Sequence, residues 1–287
     1  MTPTSSSTPH IVGFVPAYNA AATVANAVHS LRAQSPTALE VLVIDDASTD
    51  GTAEAAISAG ARVERLKTNS GRGAVRALSM ERLHADFIVS LDAGNRVGPD
   101  FVARALPCFA DPKVAAVVGA WHDPGATACA SPNLARRWRA RHLFKIERQP
   151  MAGEARNLAT HGCILRRAAV LDAGNFDPRL RHTEDAMLGW ILQQRGWRIV
   201  TCSQANVEPQ TEDSLVALAE RYWRWHTGTR ERWSPGRYID MIKNSLRIMA
   251  PLDLNARDFP ALLFTLLIPH WITVLTLARN LAGKVQK

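Results

Sequence analysis

Acids stand at three places in this chain where a plain surface would not need them. Val41-Leu-Val-Ile44 runs straight into Asp45 and Asp46, and Ala47-Ser-Thr-Asp-Gly51 follows. Carboxylates at the end of a buried strand are costly to desolvate without partners, so this pair calls for hydrogen-bond donors. Asp92 closes a second apolar run, Phe87 to Leu91, and Ala93-Gly-Asn95 comes next. Glu184 and Asp185 open a third segment, just after Thr183. Further on, Arg221, Arg224 and Trp225 have i, i+3, i+4 spacing and share one helix face. Two planar guanidinium forks there can grip phosphate oxygens while the indole stacks on a ring. Plainer roles coexist with these. Ser48, Thr49 and Asp50 precede a helical stretch and suit a turn, and Thr183 can cap a helix whose dipole favours acids in its first turn.

Elements able to hold these groups follow from periodicity. Strand-length apolar runs occur at Ile11 to Val15, Val41 to Ile44, Arg62 to Leu66, Phe87 to Leu91 and Val114 to Trp121. Helical spacing fills the gaps, at Ala21 to Gln34, Thr52 to Ser58, Ala74 to His84 and Asp100 to Phe109. That alternation predicts an α/β fold, a mainly parallel sheet flanked by helices. In such sheets ligands settle beyond the carboxyl ends of the strands, where Asp45, Asp46 and Asp92 stand. A basic helix from Leu134 to Arg148, a strand around Ile164, a helix from Glu184 to Arg195 and a last strand from Trp197 to Cys202 complete the domain. The expected organisation is a flexible N-terminus over 1–9, an α/β domain over 10–209 and a helical C-terminal extension over 210–287.

The 287 residues are 47% hydrophobic, enough for a sizeable core. A net charge of +8 favours an anionic partner: nucleic acid, acidic lipid or a phosphorylated substrate. Zinc-finger spacing, an RNP-like strand and a basic helix with a dimerising heptad are all missing, so nucleic acid is set aside. The four cysteines, Cys108, Cys129, Cys163 and Cys202, form no CxxC pair and are expected to be reduced. Met1 to Pro9 has neither a basic nor an apolar region of a secretory signal, so a cytosolic location is expected for the catalytic part. Phe259 to Ala278 carries no charge and has spanning length, yet holds Pro260, Thr265, Pro269, His270, Thr273 and Thr276. Three readings stay open: a membrane-associated or re-entrant segment, a single span, or a helix buried in protein.

Together these motifs resemble the family 2 glycosyltransferases, enzymes of the GT-A fold. Val12-Gly-Phe-Val-Pro-Ala-Tyr-Asn19, Val41 to Thr52, Asn69-Ser-Gly-Arg-Gly-Ala74, Ile88 to Asn95, His161-Gly-Cys-Ile-Leu-Arg-Arg167, Gly174-Asn-Phe-Asp-Pro178 and Thr183 to Trp190 carry the likeness in order. Arg221-Tyr-Trp-Arg-Trp225 fits the (Q/R)xxRW pattern of the cellulose, chitin and hyaluronan synthase branch. The resemblance implies a nucleotide pocket lined by Pro16, Ala17, Tyr18, Asn19, Asp45 and Asp46, with Tyr18 stacking and Asp46 accepting from a uracil N–H or ribose diol. It adds Gly71, Arg72, Asp92, Ala93, Gly162, Glu184, Arg221, Arg224 and Trp225 to the substrate site. Asp185 would be the general base of one inverting displacement from a UDP-sugar to an acceptor hydroxyl.

The chain departs from the family in two places. Ala77 replaces the usual Asn after Arg76, and Gly94 stands where the metal-binding DxD has its second acid. A Mn2+ or Mg2+ ion would then rest on Asp92, with Asn95 completing the shell, and Arg72, Arg96, Arg221 and Arg224 could offset diphosphate charge. The implied acceptor is a membrane-associated glycan or lipid, handled at the cytoplasmic face by a peripheral or anchored enzyme beside a possible membrane protein partner. The alternative is a degenerate sugar-nucleotide binder that regulates or scaffolds glycan assembly.

Overall fold

Among the described residues, nine strands form one sheet: β1 (Ile11–Ala17), β2 (Val41–Asp45), β3 (Arg62–Arg65), β4 (Phe87–Leu91), β5 (Asn95–Val97), β6 (Val114–Trp121), β7 (Ala152–Glu154), β8 (Gly162–Arg166) and β9 (Arg198–Pro209). Their order is β3-β2-β1-β4-β8-β6-β9-β5, with β7 also paired to β9. This computed structural model describes residues 8–35, 38–123, 133–143, 152–155, 157–210, 214–227 and 234–281. Pairing is parallel across β3-β2-β1-β4 and again between β6 and β9. β8 runs antiparallel between β4 and β6, and β5 and β7 run antiparallel to β9. The mainly parallel expectation therefore holds for the half that carries β1, β2 and β4, and a reversed strand joins it to the rest.

The helices are α1 (Val24–Arg32), α2 (Thr52–Ser58), α3 (Arg72–Arg82), α4 (Phe101–Ala105), α5 (Leu134–Trp138), α6 (Arg167–Asp172), α7 (Glu184–Gln194), α8 (Leu215–Thr227), α9 (Pro235–Asn244), α10 (Ala250–Asn255) and α11 (Phe259–Leu281). From β1 the chain passes through α1 to β2 on one side, continues to β3, then returns to β4 on the other side. That reversal opens a crevice at the carboxyl ends of β1 and β4, the place where open α/β sheets take ligands. Phe14, Leu42, Ile44, Ile88, Leu165 and Phe176 belong to the buried cluster beneath it.

Two compact units result, one from 1–122 and 150–211, the other from 123–149 and 212–287. The second unit therefore begins earlier than the expected boundary at Pro209, because 123–149 joins it. Trp138 explains why: its ring is fully buried with Tyr222 and Phe264, and its indole N–H donates to Thr265 Oγ1 at 2.8 Å. The basic helix expected over Leu134 to Arg148 is seen as α5 and a π-helical turn to Leu143, and its remainder lies outside the described residues. α11 runs through Pro269, which lacks the N–H that would bond the Thr265 carbonyl. The Ser245 hydroxyl donates to that carbonyl instead, so the helix continues.

Candidate functional site

The carboxyl ends of β1 and β2 are tied together by their own loops. Asn19 adopts a positive φ of 48°, and its side-chain oxygen accepts from Thr49 N at 2.9 Å. Its backbone N–H donates to Ser48 Oγ at 2.9 Å, and Ala20 N donates to Thr52 Oγ1 at 2.7 Å. Tyr18 takes no part in this lacing and is 52% exposed. Pro16 and Ala17 belong to β1 itself and fix where the tyrosine emerges.

Asp45 and Asp46 have separate tasks. Asp45 is fully buried, accepts from Ser48 N at 3.0 Å and from the Ser48 hydroxyl, and lies 3.4 Å from Arg65 Nε. It closes a turn through Oδ1, while its buried Oδ2 accepts no hydrogen bond among the described residues. Asp46 spans to the next loop, where Oδ1 accepts from Ser70 N at 2.7 Å and Oδ2 from Gly71 N at 2.8 Å. Both oxygens thus already hold backbone donors, and a ligand would have to use their remaining lone pairs.

Gly71 and Gly73 set the start of α3. Gly71 has φ 88°, in the left-handed region that favours glycine. Gly73 donates its N–H to the Leu180 carbonyl at 3.0 Å, and a Cβ there would collide with the carbonyl oxygens of Asp177 and Leu180. One turn further, Arg76 projects inward. It is 1% exposed and gives Nε to Glu184 Oε1 at 3.0 Å, one terminal nitrogen to Ser90 Oγ at 3.0 Å and the other to Asp92 Oδ1 at 2.8 Å.

One guanidinium thus serves two carboxylates, with unequal results. Burial pushes the Asp92 carboxyl upward, but Arg76 and Arg72 more than offset it and hold it below the usual carboxylate range. For Glu184 burial wins over Arg76, and with Asp185 adjacent its carboxyl lies above that range. Glu184 is 3% exposed, so the expected substrate contact is corrected to a buried brace. Arg72 is exposed at the helix start, electrostatically coupled to both acids.

Asp185 points elsewhere. It is half-buried, accepts from Ala186 N at 2.8 Å and more loosely from Thr160 Oγ1 at 3.2 Å, and makes no ion pair among the described residues. Thr183 does not cap this helix as expected: it sits at φ 64° and donates its hydroxyl to the His182 carbonyl at 2.6 Å. A β-branched residue in that conformation is strained, and it lies directly before the acid pair. His161 stands nearby with its ring edge-on to Trp121 at 5.3 Å. Burial depresses its imidazole, although Asp92 and Asp185 pull it back, so the ring is neutral near pH 7. The Cys163 thiol on β8 is pushed up to about 12 by burial and is no nucleophile.

For a cation the protein supplies little. One Asp92 oxygen is held by Arg76, and its side chain is 31% exposed. Asn95 is buried and donates its side-chain amide to the His161 carbonyl at 2.9 Å, an arrangement set by the loop. No group of three His, Cys, Asp or Glu able to hold a metal occurs among the described residues. The second Asp92 oxygen fits a shared shell only, since Mg2+ and its like are held by one or two carboxylates plus substrate phosphates.

Among the other expected residues, Ala93 and Gly162 are buried, and a Cβ on Gly162 would press on the Val207 side chain. Arg96 is committed to Glu208 at 2.6 Å. Arg221 lies on α8 in the second unit, and the side chains of Arg224 and Trp225 lie outside the described residues. Arg76 was missed as a site residue, although its place one turn beyond a glycine loop is the sequence signal for it. Two open recesses of about 470 and 370 Å³ sit at the opposite end of the sheet, near Asp86 and Arg166 and near Glu40 and Arg62, away from these acids.

The sequence profile described as Glycosyl transferase family 2 matches residues 14–173. The succinoglycan biosynthesis protein ExoA of Rhizobium meliloti (strain 1021) is 26% identical over 275 residues, covering 91% of this chain and 79% of its own length. Poly-beta-1,6-N-acetyl-D-glucosamine synthase of Staphylococcus aureus is 26% identical over 227 residues, covering 75% of this chain, which spans only 53% of that protein. Among solved structures, the mannosyltransferase PcManGT of Pyrobaculum calidifontis, in complex with GDP-Man and Mn2+, aligns over the whole chain and 78% of its own, with TM-score 0.58 and 17% identity. TarS residues 1–349 of S. aureus, in complex with UDP-GlcNAc, aligns over 97% of this chain and 93% of its own, with TM-score 0.57 and 15% identity.

Proposed function

The chain belongs to glycosyl transferase family 2 and is a glycosyltransferase of the GT-A fold, and from that premise we propose that it moves a sugar from UDP to an acceptor hydroxyl with inversion, using Asp185 as base. One observation carries the assignment. Of the acids around Arg76, Glu184 and Asp92 are bound to the guanidinium, whereas Asp185 keeps a half-exposed carboxylate free of any ion pair among the described residues. A general base needs that freedom within hydrogen-bond reach of its proton.

The reaction balances simply. The acceptor oxygen forms a bond to the anomeric carbon while the bond from that carbon to the diphosphate breaks and its electron pair leaves with UDP. Asp185 takes the acceptor proton, and the configuration inverts. Tyr18 stacks on the base, and Arg72 faces the growing negative charge. Arg76 holds Glu184 as a buried brace and fixes one oxygen of Asp92, leaving the other oxygen toward the diphosphate. A Mn2+ or Mg2+ ion held by Asp92 would lend further charge neutralisation to the diphosphate. The names of ExoA and the S. aureus synthase support a role in polysaccharide biosynthesis; the acceptor in this proposal is a glycan or lipid-linked glycan, met at the cytoplasmic side of the membrane.

Asp185→Asn tests this. Thermal shift with UDP should match the parent, and transfer and donor hydrolysis should fall at least about a hundredfold. A variant that turns over normally removes Asp185 as base. Gly94, in place of a second metal ligand, favours a second reading as a sugar-nucleotide binder without catalysis. A parent protein that binds UDP-sugar but neither transfers nor hydrolyses it, with and without Mn2+, would establish that reading instead.

A further inference from the structure

Among the described residues of the second unit, one face of α11 is exposed. Along α11, Ala261, Phe264, Thr265, Ile268, Ile272, Thr273 and Thr276 are buried, whereas Phe259, Leu263, Leu267, His270, Val274 and Leu277 are exposed. At 3.6 residues per turn those six exposed positions fall within an arc of about 80°, a single stripe on the helix. From Phe259 to Ala278 the stripe is about 30 Å long and carries no charge. Isolated exposed leucines need no explanation, but a continuous apolar stripe of that length does.

The buried side of α11 decides how such a helix can meet lipid. Thr265 accepts from Trp138 Nε1 and donates to Asp253 Oδ2 at 2.6 Å. Asp253 in turn is held by Arg141 at 2.7 Å and by His142 at 2.8 Å. Asp258, at the helix start, receives Arg137 at 2.9 Å. A helix pinned along one side by a buried charge network cannot turn every face to hydrocarbon, so the length of Phe259 to Ala278 does not make it a lone span.

Charge completes the picture. The helices packed on α11 expose Leu246, Ile248 and Leu254, interleaved with exposed Lys243, Arg247 and Arg257. Of the three acids between 234 and 281, Asp253 and Asp258 are buried in the network and Asp240 alone is exposed. Apolar side chains among cations are the composition of helices that lie in an anionic bilayer interface.

We infer that the second unit docks on an anionic bilayer surface through this stripe, with α11 lying in the plane of the interface and not crossing it. The docking goes beyond the sugar-transfer reading and stands without it, because no residue of the stripe belongs to the candidate active site.

Vesicle sedimentation of the full chain tests it. Binding is expected to vesicles of phosphatidylcholine with about 30% phosphatidylglycerol, to weaken with salt, and to fall steeply on phosphatidylcholine alone. Leu263→Glu with Leu267→Glu should lower partitioning at least about tenfold, and Lys243→Glu with Arg247→Glu should remove the preference for anionic lipid, about fivefold per charge. Unchanged melting temperatures confirm that both variants remain folded. Alkaline carbonate should strip the parent from membranes. Retention after that wash would show a span, vesicle binding untouched by the leucine variant would show another docking face, and a dimer that dissociates in that variant would show a second copy on the stripe. Each of these overturns the inference.

Discussion

Arg76→Met isolates the buried brace from the rest of the site. Methionine fills much of the stem volume but withdraws the charge from Glu184 and Asp92 together, and removing one partner of a buried ion pair costs about 3–5 kcal/mol. In a domain of this size each kcal/mol moves the melting temperature by about 2–4 °C, so the expected loss is about 6–20 °C near pH 8. Its pH dependence is diagnostic. The folded Glu184 carboxyl is already raised by burial, with Arg76 the chief influence opposing that rise. A group raised in the folded state contributes stability that is full below its unfolded value and is lost as pH climbs through the folded one. Without Arg76 the folded value rises further, and each added unit costs about 1.4 kcal/mol once the acid must ionise. Asp92, lowered in the parent, titrates below its unfolded value, so its share of the loss is constant above about pH 5. The variant should therefore lie closest to the parent near pH 5 and furthest near pH 8, followed by thermal melts or by urea titration of the two proteins in parallel. A deficit independent of pH, or no deficit at all, would refute the three-way bridge through Arg76.

Three further outcomes are expected. Gly94→Asp meets nothing within 4 Å of its new Cβ, so it should fold with less than about 0.5 kcal/mol of change and tighten Mn2+ binding in the presence of UDP by about tenfold, read by calorimetry; unchanged affinity would remove Asp92 as a metal ligand. Tyr18→Ala should leave the melting temperature in place and weaken UDP by about 1–3 kcal/mol, the usual contribution of base stacking, in a binding titration. Gly73→Ala forces a methyl group against two backbone carbonyls and should cost about 2 kcal/mol or more in a denaturant melt, because backbone cannot swing aside as a side chain can.

Much of the α/β framework was legible because it rests on local patterns. Phe87 to Leu91 and Val114 to Trp121 were bounded correctly from apolar runs alone, and Thr52 to Ser58 from helical spacing. β5 and β7, each three residues long, were missed because so short a segment has no periodicity to read. β9 was read only to Cys202 but extends to Pro209, since its later residues are held by pairing with β5 and β6 and not by their own apolar character.

The candidate site divides the same way. By itself the sequence determined that acids would stand at strand and helix ends, since an apolar run that stops at a carboxylate marks such an end wherever it occurs. It could not say which acid of each pair would be used up inside the protein. Asp45 is taken by Ser48 and Arg65, and Glu184 by Arg76, which is 108 residues away along the chain. Only the tertiary structure decided that Asp185 keeps its carboxylate and that α11 hides one side and shows the other. Burial and ion pairing depend on which distant groups arrive at the same point, and that is fixed by packing, not by spacing along the chain.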